Sequence, residues 1–471
     1  MHAQDYDERF RPQFHFSPAA NWVNDPNGLV YADGQYHLFY QYNPAGLTSG
    51  PMHWGHATSP DLLHWTHQPI ALYPDEIGPI WSGGAVVDAD NTSGLVPGGG
   101  LIAIFSFQNQ SQGIAFSQDS GETWTKYEGN PVLPAVARDF RDPKVFWHAE
   151  TGQWVMIIAA GDRVQIYHSP NLIDWQLASE FGANLAAGLW EVPDLFPMTL
   201  DGEAHWVLMA SLGNAPAGGG GVRYFVGDFD GATFTSKATG APLWLDYGPD
   251  NYAGTTWNDA PDDRRLYIGW MSNWAYAQET PTSPWRGAMT LPRELTLRQT
   301  GEGLRLVQAP AAELVQLRDT PQRWSDVVIE PGQNLLDGVT GTSLEIVAEF
   351  ELGSADFVGL KVLSDREHST DIIYNVGLSN LLISRLNSGD TGFNSAFAGI
   401  YQDRLEPVEG RIRLHIFVDR SSVEVFGNDG LSVMTSQVFP PDGADQLELF
   451  AKDGDVRLVS LEIYPLKSAW R

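Results

Sequence analysis

Two stretches of the sequence decide the fold: "NDPNGLVYADGQYHLFY" at residues 24–40 and "RDPKVFWHAETGQWVMII" at residues 141–158. Each stretch contains Asp-Pro, an apolar strand-like run, a tight turn and a second strand-like run. Asp33-Gly34 and Thr151-Gly152 supply the residues that favour such turns. The same outline begins again near residues 82, 191 and 251, so the sequence predicts five units with a spacing of about 50–60 residues.

A second motif of serine, polar turn and tryptophan accompanies the first. It reads "SPDLLHW" at 59–65, "SQDSGETW" at 117–124 and "SPNLIDW" at 169–175, and "GDFDGATF" at 227–234 is a more divergent copy. Long helical periodicity is absent from the first 300 residues. An all-strand unit of this period is typical of a β-propeller with four-stranded blades, so five units predict five blades. An irregular sandwich with coincidentally similar turns is the alternative.

The repeat stops near residue 305. The next segment, 306–335, predicts a linker with one short helix within 309–319. Alternation of apolar and polar residues returns from "LEIVAEFEL" at 344–352 to "VRLVSLEIYPL" at 456–466, which predicts a β-sandwich. The sequence therefore predicts an all-β chain: a five-bladed β-propeller at 1–305, a linker at 306–335 and a C-terminal β-sandwich at 336–471.

Composition excludes several classes of partner and site. A net charge of −30 argues against nucleic acid and anionic membranes as partners, and the apolar runs are too short for a transmembrane helix. The absence of cysteine excludes disulfides, thiolate metal sites and a cysteine nucleophile. Seventeen tryptophans are more than a core needs, and exposed ones can stack on sugar rings. The first residues, "MHAQDYDERF", predict no signal peptide, which fits a cytoplasmic protein or a secreted one whose signal was removed.

Three acidic residues occupy corresponding places in the repeat. Asp25 in "WVNDPNG", Asp142 in "FRDPKVF" and Glu191 in "WEVPDLF" open the first strand of units one, three and four. The first strand of a propeller blade lines the central axis, so we expect the three side chains to meet. Neighbouring carboxyl groups in a partly dry site have pKa values that are pushed apart. One protonated acid and one ionised nucleophile suit glycosidic cleavage through an oxocarbenium-like transition state.

The surroundings of each acid suggest its role. Asp25 lies in a tight turn that can hold a nucleophile rigidly, and the apolar sequence neighbours of Glu191 predict the raised pKa of a general acid. Arg141 is expected to keep Asp142 ionised. Asp-Pro and Asn-Gly are also ordinary turn formers, and a calcium site is a competing interpretation, although no EF-hand-like spacing accompanies the acids. We therefore predict neither a metal nor a cofactor.

The chain resembles glycoside hydrolase family 32, the family of invertases, inulinases, levanases and related fructosyltransferases. Seven ordered motifs between residues 11 and 300 carry the resemblance, and "LHIFVDRSSVEVFGNDG" at 414–430 resembles the sandwich module of the family. The family fold is a five-bladed propeller followed by a β-sandwich. The seven motifs are "WVNDPNGLVY", "FYQYNP", "HWGHATSPDLLHW", "WSGG", "FRDPKVF", "WEVPDLF" and "WRGAMTLPREL".

The resemblance implies a role for each matching residue. Asp25 would be the nucleophile, Asp142 the transition-state stabiliser and Glu191 the general acid/base. Residues implied to bind the fructosyl unit are Asn24, Gln41, Trp54, Trp81, Ser82 and Arg141, with Tyr252 and Trp270 as weaker matches. Val192, Val23 and Trp81 stand where the family often has Cys, Met and Phe, which bears on substrate preference because no catalytic group is lost.

We therefore expect a retaining, exo-acting β-fructosidase that removes terminal β-D-fructofuranosyl residues from sucrose, inulin or levan. The exo preference rests on a propeller funnel that is closed at its base. A fructosyltransferase is the alternative within the same chemistry. A catalytically inactive fructan-binding lectin is the alternative outside it, and the intact Asp25, Asp142 and Glu191 argue against that reading.

Overall fold

The computed structural model describes residues 6–185, 188–237 and 240–470. Across these ranges the chain forms strands and loops, and its helical residues are confined to three 3₁₀ turns, Pro261–Asp263, Ala277–Glu279 and Ala312–Leu317. The predicted all-β class is confirmed. No helix in the described part of the chain is long and apolar enough to cross a membrane.

Residues 21–310 form five sheets that follow one another along the chain. The first sheet contains β1 (Asn21–Ala32), β2 (Gln35–Asn43), β3 (His53–Ser59) and β4 (Thr66–Leu72). The second contains β5 (Ile80–Val87), β6 (Leu101–Phe107), β7 (Gln112–Ser117) and β8 (Thr125–Lys126). The third contains β9 (Phe140–His148), β10 (Gln153–Ala160), β11 (Val164–Ser169) and β12 (Gln176–Phe181). Within these three sheets consecutive strands pair in antiparallel fashion, as the tight turns predict.

The fourth and fifth sheets depart slightly from this scheme. The fourth contains β13 (Trp190–Leu200), β14 (Glu203–Leu212), β15 (Gly221–Phe229), β16 (Phe234–Ser236) and β17 (Leu243–Trp244). The fifth contains β18 (Tyr252–Thr256) and β19 (Leu266–Trp270), followed after β20 (Trp285–Arg286) by β21 (Arg293–Thr300) and β22 (Gly303–Pro310). Strand β20 pairs in parallel with β1 of the first sheet, which ties the last of the five sheets to the first.

The first strands of the five sheets meet in cyclic order. β1 contacts β5, β5 contacts β9, β9 contacts β13, β13 contacts β18, and β18 contacts β1. Each of these strands also has a register shift close to its beginning. Such bulges re-aim side chains. Three of them contain proline, at Pro26, Pro143 and Pro193, which cannot donate a ladder hydrogen bond.

The serine–tryptophan motifs occupy one equivalent position. They connect the third and fourth strands of the first three sheets. In two of them Ser59 and Ser117 donate to the carboxylates of Asp61 and Asp119, which is a local polar turn. The divergent fourth copy spans the β15–β16 turn. The second motif therefore marks a structural turn.

The remaining strands form two further sheets. Their strands are β23 (Gln322–Ile329), β24 (Leu344–Glu351), β25 (Phe357–Ser364), β26 (Ser369–Asn375), β27 (Asn380–Asn387), β28 (Ile400–Arg404), β29 (Arg411–Asp419), β30 (Ser422–Gly427), β31 (Ser432–Gln437), β32 (Gln446–Lys452) and β33 (Val456–Pro465). One sheet has the order β23-β33-β24-β29-β30-β31 and the other has the order β28-β27-β26-β25-β32. A continuous apolar core contains side chains from both sheets.

The segment 306–335, predicted as a linker, contains more regular structure than that prediction implies. Its beginning belongs to β22, which pairs with β21, and residues 322–329 form β23, which pairs with β33. The 3₁₀ turn Ala312–Leu317 lies within the range predicted for a short helix. Only residues 311–321 run between the two sets of sheets, because the apolar positions on either side find strand partners.

Buried ion pairs join the two sets of sheets. Arg293 of β21 donates to Glu424 of β30 over 2.6 Å, and Arg385 of β27 donates to Asp250 over 2.6 Å. All four side chains are excluded from solvent. Removing one partner from such a pair leaves an uncompensated buried charge, which is strongly destabilising. The two sets of sheets are therefore coupled through their charges as well as their apolar contacts.

Candidate active site

A pocket of about 370 Å³ opens where the first strands begin. The three acidic residues predicted from the sequence all line it, together with five of the predicted binding residues. Its full lining is Asn24, Asp25, Gln41, Ser49, Met52, Trp81, Ser82, Gln110, Asp139, Arg141, Asp142, Glu191 and Trp274. The bulges at the starts of β1, β5, β9 and β13 lie at these side chains, so local irregularity and site coincide.

Both carboxylate oxygens of Asp25 are held by neighbouring side chains. Asn24 Nδ2 donates to Oδ1 over 2.9 Å, and Ser82 Oγ donates to Oδ2 over 2.7 Å. Asn24 is itself fixed, because Trp22 Nε1 donates to its side-chain oxygen over 2.7 Å. Burial raises the pKa of Asp25, the two hydrogen bonds oppose that rise, and the nearby carboxylate of Glu191 adds to it. The result is a half-buried carboxylate with one orientation.

Asp142 is buried with a left-handed backbone, at φ 63°. Its Oδ2 accepts a 3.1 Å hydrogen bond from the backbone N–H of Val192, which links β9 to β13. Burial raises the pKa of Asp142 to about 7, against the opposing effect of Arg141. The expectation that Arg141 keeps this aspartate ionised is therefore corrected. Arg141 Nε lies 3.9 Å from Asp142 Oδ2, while the same guanidinium makes closer contacts with other carboxylates.

Glu191 has polar partners on both oxygens. Arg141 Nη2 donates to Oε1 over 2.9 Å, and the hydroxyl of Tyr252 donates to Oε2. The sequence reasoning assigned Glu191 an apolar environment from its neighbours along the chain, and this is also corrected. The side chain of Trp190 does not pack on Glu191 but stacks on the ring of Phe225, with 5.7 Å between the ring centres. Side chains of adjacent strand residues face opposite sides, so sequence neighbours do not define the surroundings of a carboxylate.

Gln41 and Trp81 complete the part of the lining that the sequence predicted. Gln41 is buried, and its Nε2 has no hydrogen-bond partner among the described residues, which leaves a donor at the pocket for a ligand. Trp81 lies beside Arg141, whose guanidinium carbon is 5.9 Å from the ring centre. The pocket thus combines an aromatic wall, a cation and amide donors with three carboxyl groups.

Three predicted binding residues do not line the pocket. Trp54 is fully buried and donates its indole N–H to the carbonyl of Trp81 over 2.9 Å. Tyr252 reaches the site through its bond to Glu191. Trp270 is fully buried and packs at 4.8 Å from the ring of Trp274. These side chains lie behind the lining and support it.

Sequence reasoning missed five lining residues, namely Ser49, Met52, Gln110, Asp139 and Trp274. They lie in connections between strands, where the repeat pattern gives no signal. Trp274 is 42% exposed, which is unusual for so large a ring, and Asp139 forms a 3.2 Å ion pair with Arg141. The only available clue was that Trp274 is close in sequence to Trp270 and that Asp139 is close to the Arg-Asp-Pro motif.

Comparison with known proteins agrees with this geometry. The model of the glycosyl hydrolases family 32 N-terminal domain matches residues 15–310, and that of the glycosyl hydrolases family 32 C terminal matches residues 313–465. The chain belongs to glycoside hydrolase family 32. Every residue that lines the pocket falls within the match to the N-terminal domain of this family.

Individual family 32 members are similar along nearly all of the chain. A levanase of Bacillus subtilis (strain 168) is 51% identical over 484 residues, which cover 99% of this chain and 72% of that protein. Among solved structures, the exo-inulinase of Aspergillus awamori has a TM-score of 0.92 at 36% identity, with 99% of this chain and 100% of that chain covered. A fructofuranosidase variant of Schwanniomyces occidentalis complexed with fructosylnystose has a TM-score of 0.90 at 31% identity, with 98% and 99% covered. The resemblance found in the sequence is confirmed.

Proposed function

We propose that this family 32 hydrolase is a retaining, exo-acting β-fructosidase that hydrolyses terminal β-D-fructofuranosyl residues of sucrose and of fructans such as inulin and levan. The observation that carries the proposal is the meeting of Asp25, Asp142 and Glu191 at one pocket, with both oxygens of Asp25 oriented by hydrogen bonds. The names of similar proteins, a levanase and an exo-inulinase, and the fructosylnystose complex support the substrate class.

Asp25 is the proposed nucleophile. Its carboxylate attacks the anomeric carbon of the terminal fructosyl unit, and the bond to the leaving oxygen breaks as Glu191 protonates that oxygen. A covalent fructosyl-enzyme results. Glu191 then removes a proton from water, which attacks the same carbon and releases fructose with its original configuration. The hydrogen bonds from Asn24 and Ser82 aim the attacking carboxylate.

Asp142 and Arg141 are proposed to support the charges that develop in this reaction. A carboxylate at Asp142 stabilises the positive charge of the oxocarbenium-like transition state and accepts hydrogen bonds from fructosyl hydroxyls. Arg141 holds one oxygen of Glu191 and Tyr252 holds the other, so the acid/base cannot rotate freely. This positioning keeps Glu191 directed at the leaving oxygen during both steps.

The remaining predicted residues are proposed to hold the fructosyl unit. Asn24, Gln41, Ser82 and Arg141 offer polar groups at the pocket, and Trp81 offers an aromatic wall. The other three, Trp54, Tyr252 and Trp270, act from behind the lining.

The proposal also covers the architecture of the chain. The five consecutive sheets are proposed as the five blades of a β-propeller at 1–305, whose first strands surround the axis, and the two C-terminal sheets as a β-sandwich at 336–471. The cyclic contacts among β1, β5, β9, β13 and β18 support this arrangement. It accounts for the site, because residues distant in sequence reach the axis from different blades.

Product analysis on sucrose, inulin and levan tests the proposal. We expect free fructose from all three or from a subset, and no turnover by a folded Asp25→Asn protein. Sustained activity of that variant would contradict the nucleophile, and binding without turnover by the unmodified protein would indicate a lectin. Accumulation of longer fructosyl products from sucrose would indicate a transferase.

Leaving-group dependence tests the acid separately. Glu191→Ala should lose far more activity on sucrose than on a fructoside with an activated aryl leaving group, because the aryl oxygen departs without a proton. Equal losses on both substrates would show that Glu191 is not the acid.

A further inference from the structure

Two segments that support the pocket pass close to the C-terminal sheets. The first leads through Asp250 to Tyr252, which donates to Glu191. The second carries Trp274 at the pocket rim and continues to Tyr276. Asp250 and Tyr276 are both buried, so neither faces the substrate. Each lies two residues from a side chain that touches the site.

One residue of the C-terminal sheets binds both segments. Arg385 of β27 is fully buried, and its Nη1 donates to Asp250 Oδ2 over 2.6 Å while its Nη2 donates to the hydroxyl of Tyr276 over 2.7 Å. The guanidinium carbon lies 3.9 Å above the ring of Phe397, and Nε donates to the carbonyl of that residue over 2.6 Å. A planar guanidinium with its donors engaged in this way permits one geometry.

The two segments are also tied to each other. The hydroxyl of Tyr276 donates to Asp250 Oδ1 over 2.5 Å, so Arg385, Asp250 and Tyr276 form a closed triangle of hydrogen bonds. Asn273 Nδ2 donates to the carbonyl of Pro249 over 3.0 Å, which is a second tie. A buried and fully satisfied polar network fixes the position of everything attached to it.

We propose that Arg385 is a positioning residue for the active site: through Asp250 and Tyr276 it holds Tyr252 against Glu191 and Trp274 at the pocket rim. The inference rests on the proposed function, in which Glu191 supplies the proton to the leaving group. It assigns to the C-terminal sheets a part in catalysis beyond stability. Small displacements of a catalytic group lower the reaction rate strongly. Loss of a hydrogen bond among Arg385, Asp250 and Tyr276 should therefore lower activity although every group that lines the pocket is still present.

A second buried arginine bridges the two sets of sheets at a different place. Arg293 is also fully buried and joins the two sets of sheets through Glu424 and Asp246. Its other side-chain partners are Gln308 and Thr435. None of its four partners is within two residues of a side chain that lines the pocket or donates to Glu191. Arg385 differs because both of its partners on the catalytic side of the interface do adjoin the site.

A matched pair of tyrosine variants tests the proposal. Tyr276 and Tyr401 both accept a hydrogen bond from Arg385 Nη2, but Tyr401 lies on β28 and donates its hydroxyl to the carbonyl of Phe397, whereas Tyr276 donates to Asp250. Tyr276→Phe should lower kcat/KM on sucrose about tenfold and on an aryl β-fructofuranoside by less than about threefold, because a displaced Tyr252 impairs proton delivery by Glu191. Tyr401→Phe should stay within about twofold of the unmodified protein on both substrates.

The outcomes separate the proposal from its alternatives. The positioning role would be overturned if Tyr276→Phe lost equal activity on the two substrates, or if the two variants had equal effects. It would also be overturned if Tyr276→Phe kept unchanged kinetics while its melting temperature fell as much as that of Tyr401→Phe. Arg385→Lys serves as a second variant, since an ammonium lacks the planar fork that engages Asp250, Tyr276 and the carbonyl of Phe397 together, and it should reproduce the leaving-group dependence of Tyr276→Phe. Hydrolysis of sucrose by the unmodified protein, measured alongside, tests the proposed function independently.

Discussion

The hydroxyl of Ser82 donates a 2.7 Å hydrogen bond to Oδ2 of Asp25, although the two residues lie 57 positions apart on the first strands of neighbouring sheets. Asp25 and Ser82 each lie at the bulge of their strand, and the two bulges turn both side chains toward the same pocket. The contact therefore couples the position of the proposed nucleophile to the packing of two sheets.

Ser82→Ala should lower kcat more than it changes KM. Loss of the hydroxyl frees one oxygen of Asp25 to rotate, and we expect kcat to fall about 10–100-fold, a cost in the range of one charge-assisted hydrogen bond. Steady-state kinetics on sucrose measure the change. Ser93→Ala is a matched control, because Ser93 donates to Asp88 Oδ2 over the same 2.7 Å and neither residue lines the pocket. Similar losses in the two variants would contradict an orienting role for Ser82.

Asp142→Asn should stabilise the protein above neutral pH while it lowers kcat by several orders of magnitude. The pKa of Asp142 is raised from 3.8 to about 7 by burial, so the folded state binds a proton between these values that the unfolded state does not. The stability from this proton is present below about pH 3.8 and is lost as pH rises through about 7. A neutral asparagine removes that loss. The difference between the melting temperatures at pH 5 and pH 8 should be smaller for Asp142→Asn than for the unmodified protein. An equal difference in the two proteins would contradict the raised pKa of Asp142.

His15 should make stability fall at alkaline pH. Its Nδ1 lies 2.8 Å from Asp419 and its Nε2 lies 2.9 Å from Glu424, with all three side chains fully buried. Against the effect of burial, these carboxylates raise the pKa of His15 from 6.5 to about 9. A raised histidine pKa gives stability that is complete below about pH 6.5 and is lost as pH rises through about 9. The loss amounts to roughly 3–4 kcal/mol at most, since each pKa unit corresponds to about 1.4 kcal/mol.

Unfolding midpoints between pH 6 and 10 check this expectation. The slope should flatten in His15→Gln, which leaves Asp419, Glu424 and Arg293 in place around the substituted side chain. His64→Gln is the control, because His64 pairs with Asp61 at 2.8 Å on the surface, where ion pairs contribute little. An unchanged slope in His15→Gln would assign the alkaline loss to other groups.

The sequence predicted the strand repeat and the three acids because both depend on local chemistry. The proline-containing motifs that carry Asp25, Asp142 and Glu191 lie at bulges, and a proline in a strand marks such a point directly. The partners of these acids depend on which strands meet. The family resemblance identified Ser82 and Tyr252 only as binding residues. The hydrogen bonds that they donate to Asp25 and Glu191 depend on the three-dimensional arrangement. Loop residues such as Trp274 share no pattern with the repeat, so the sequence did not predict them.

A chain that ends near residue 310 should be insoluble or inactive. It retains Asp250 and Arg293 but loses their buried partners across the interface, Arg385 and Glu424. Uncompensated charges and uncovered apolar surface both favour aggregation or a rearranged site. Expression, size-exclusion chromatography and assays on sucrose beside the full chain measure the outcome. A soluble truncated protein with full activity would contradict both the structural coupling and the positioning role of Arg385.

The reaction should proceed with retention and release single fructose units. With Asp25 as nucleophile and Glu191 as acid/base, their carboxyl groups are expected about 5–5.5 Å apart, the retaining separation. The pocket of about 370 Å³, walled by Trp81 and Trp274, is expected to admit the end of a fructan chain rather than its middle. NMR of the first product should show β-fructose before mutarotation, and free fructose should accumulate from a fructan. Early α-fructose would overturn the double displacement, whereas an early ladder of oligofructans would overturn only the pocket argument, because an open cleft or a sugar acceptor would then be required.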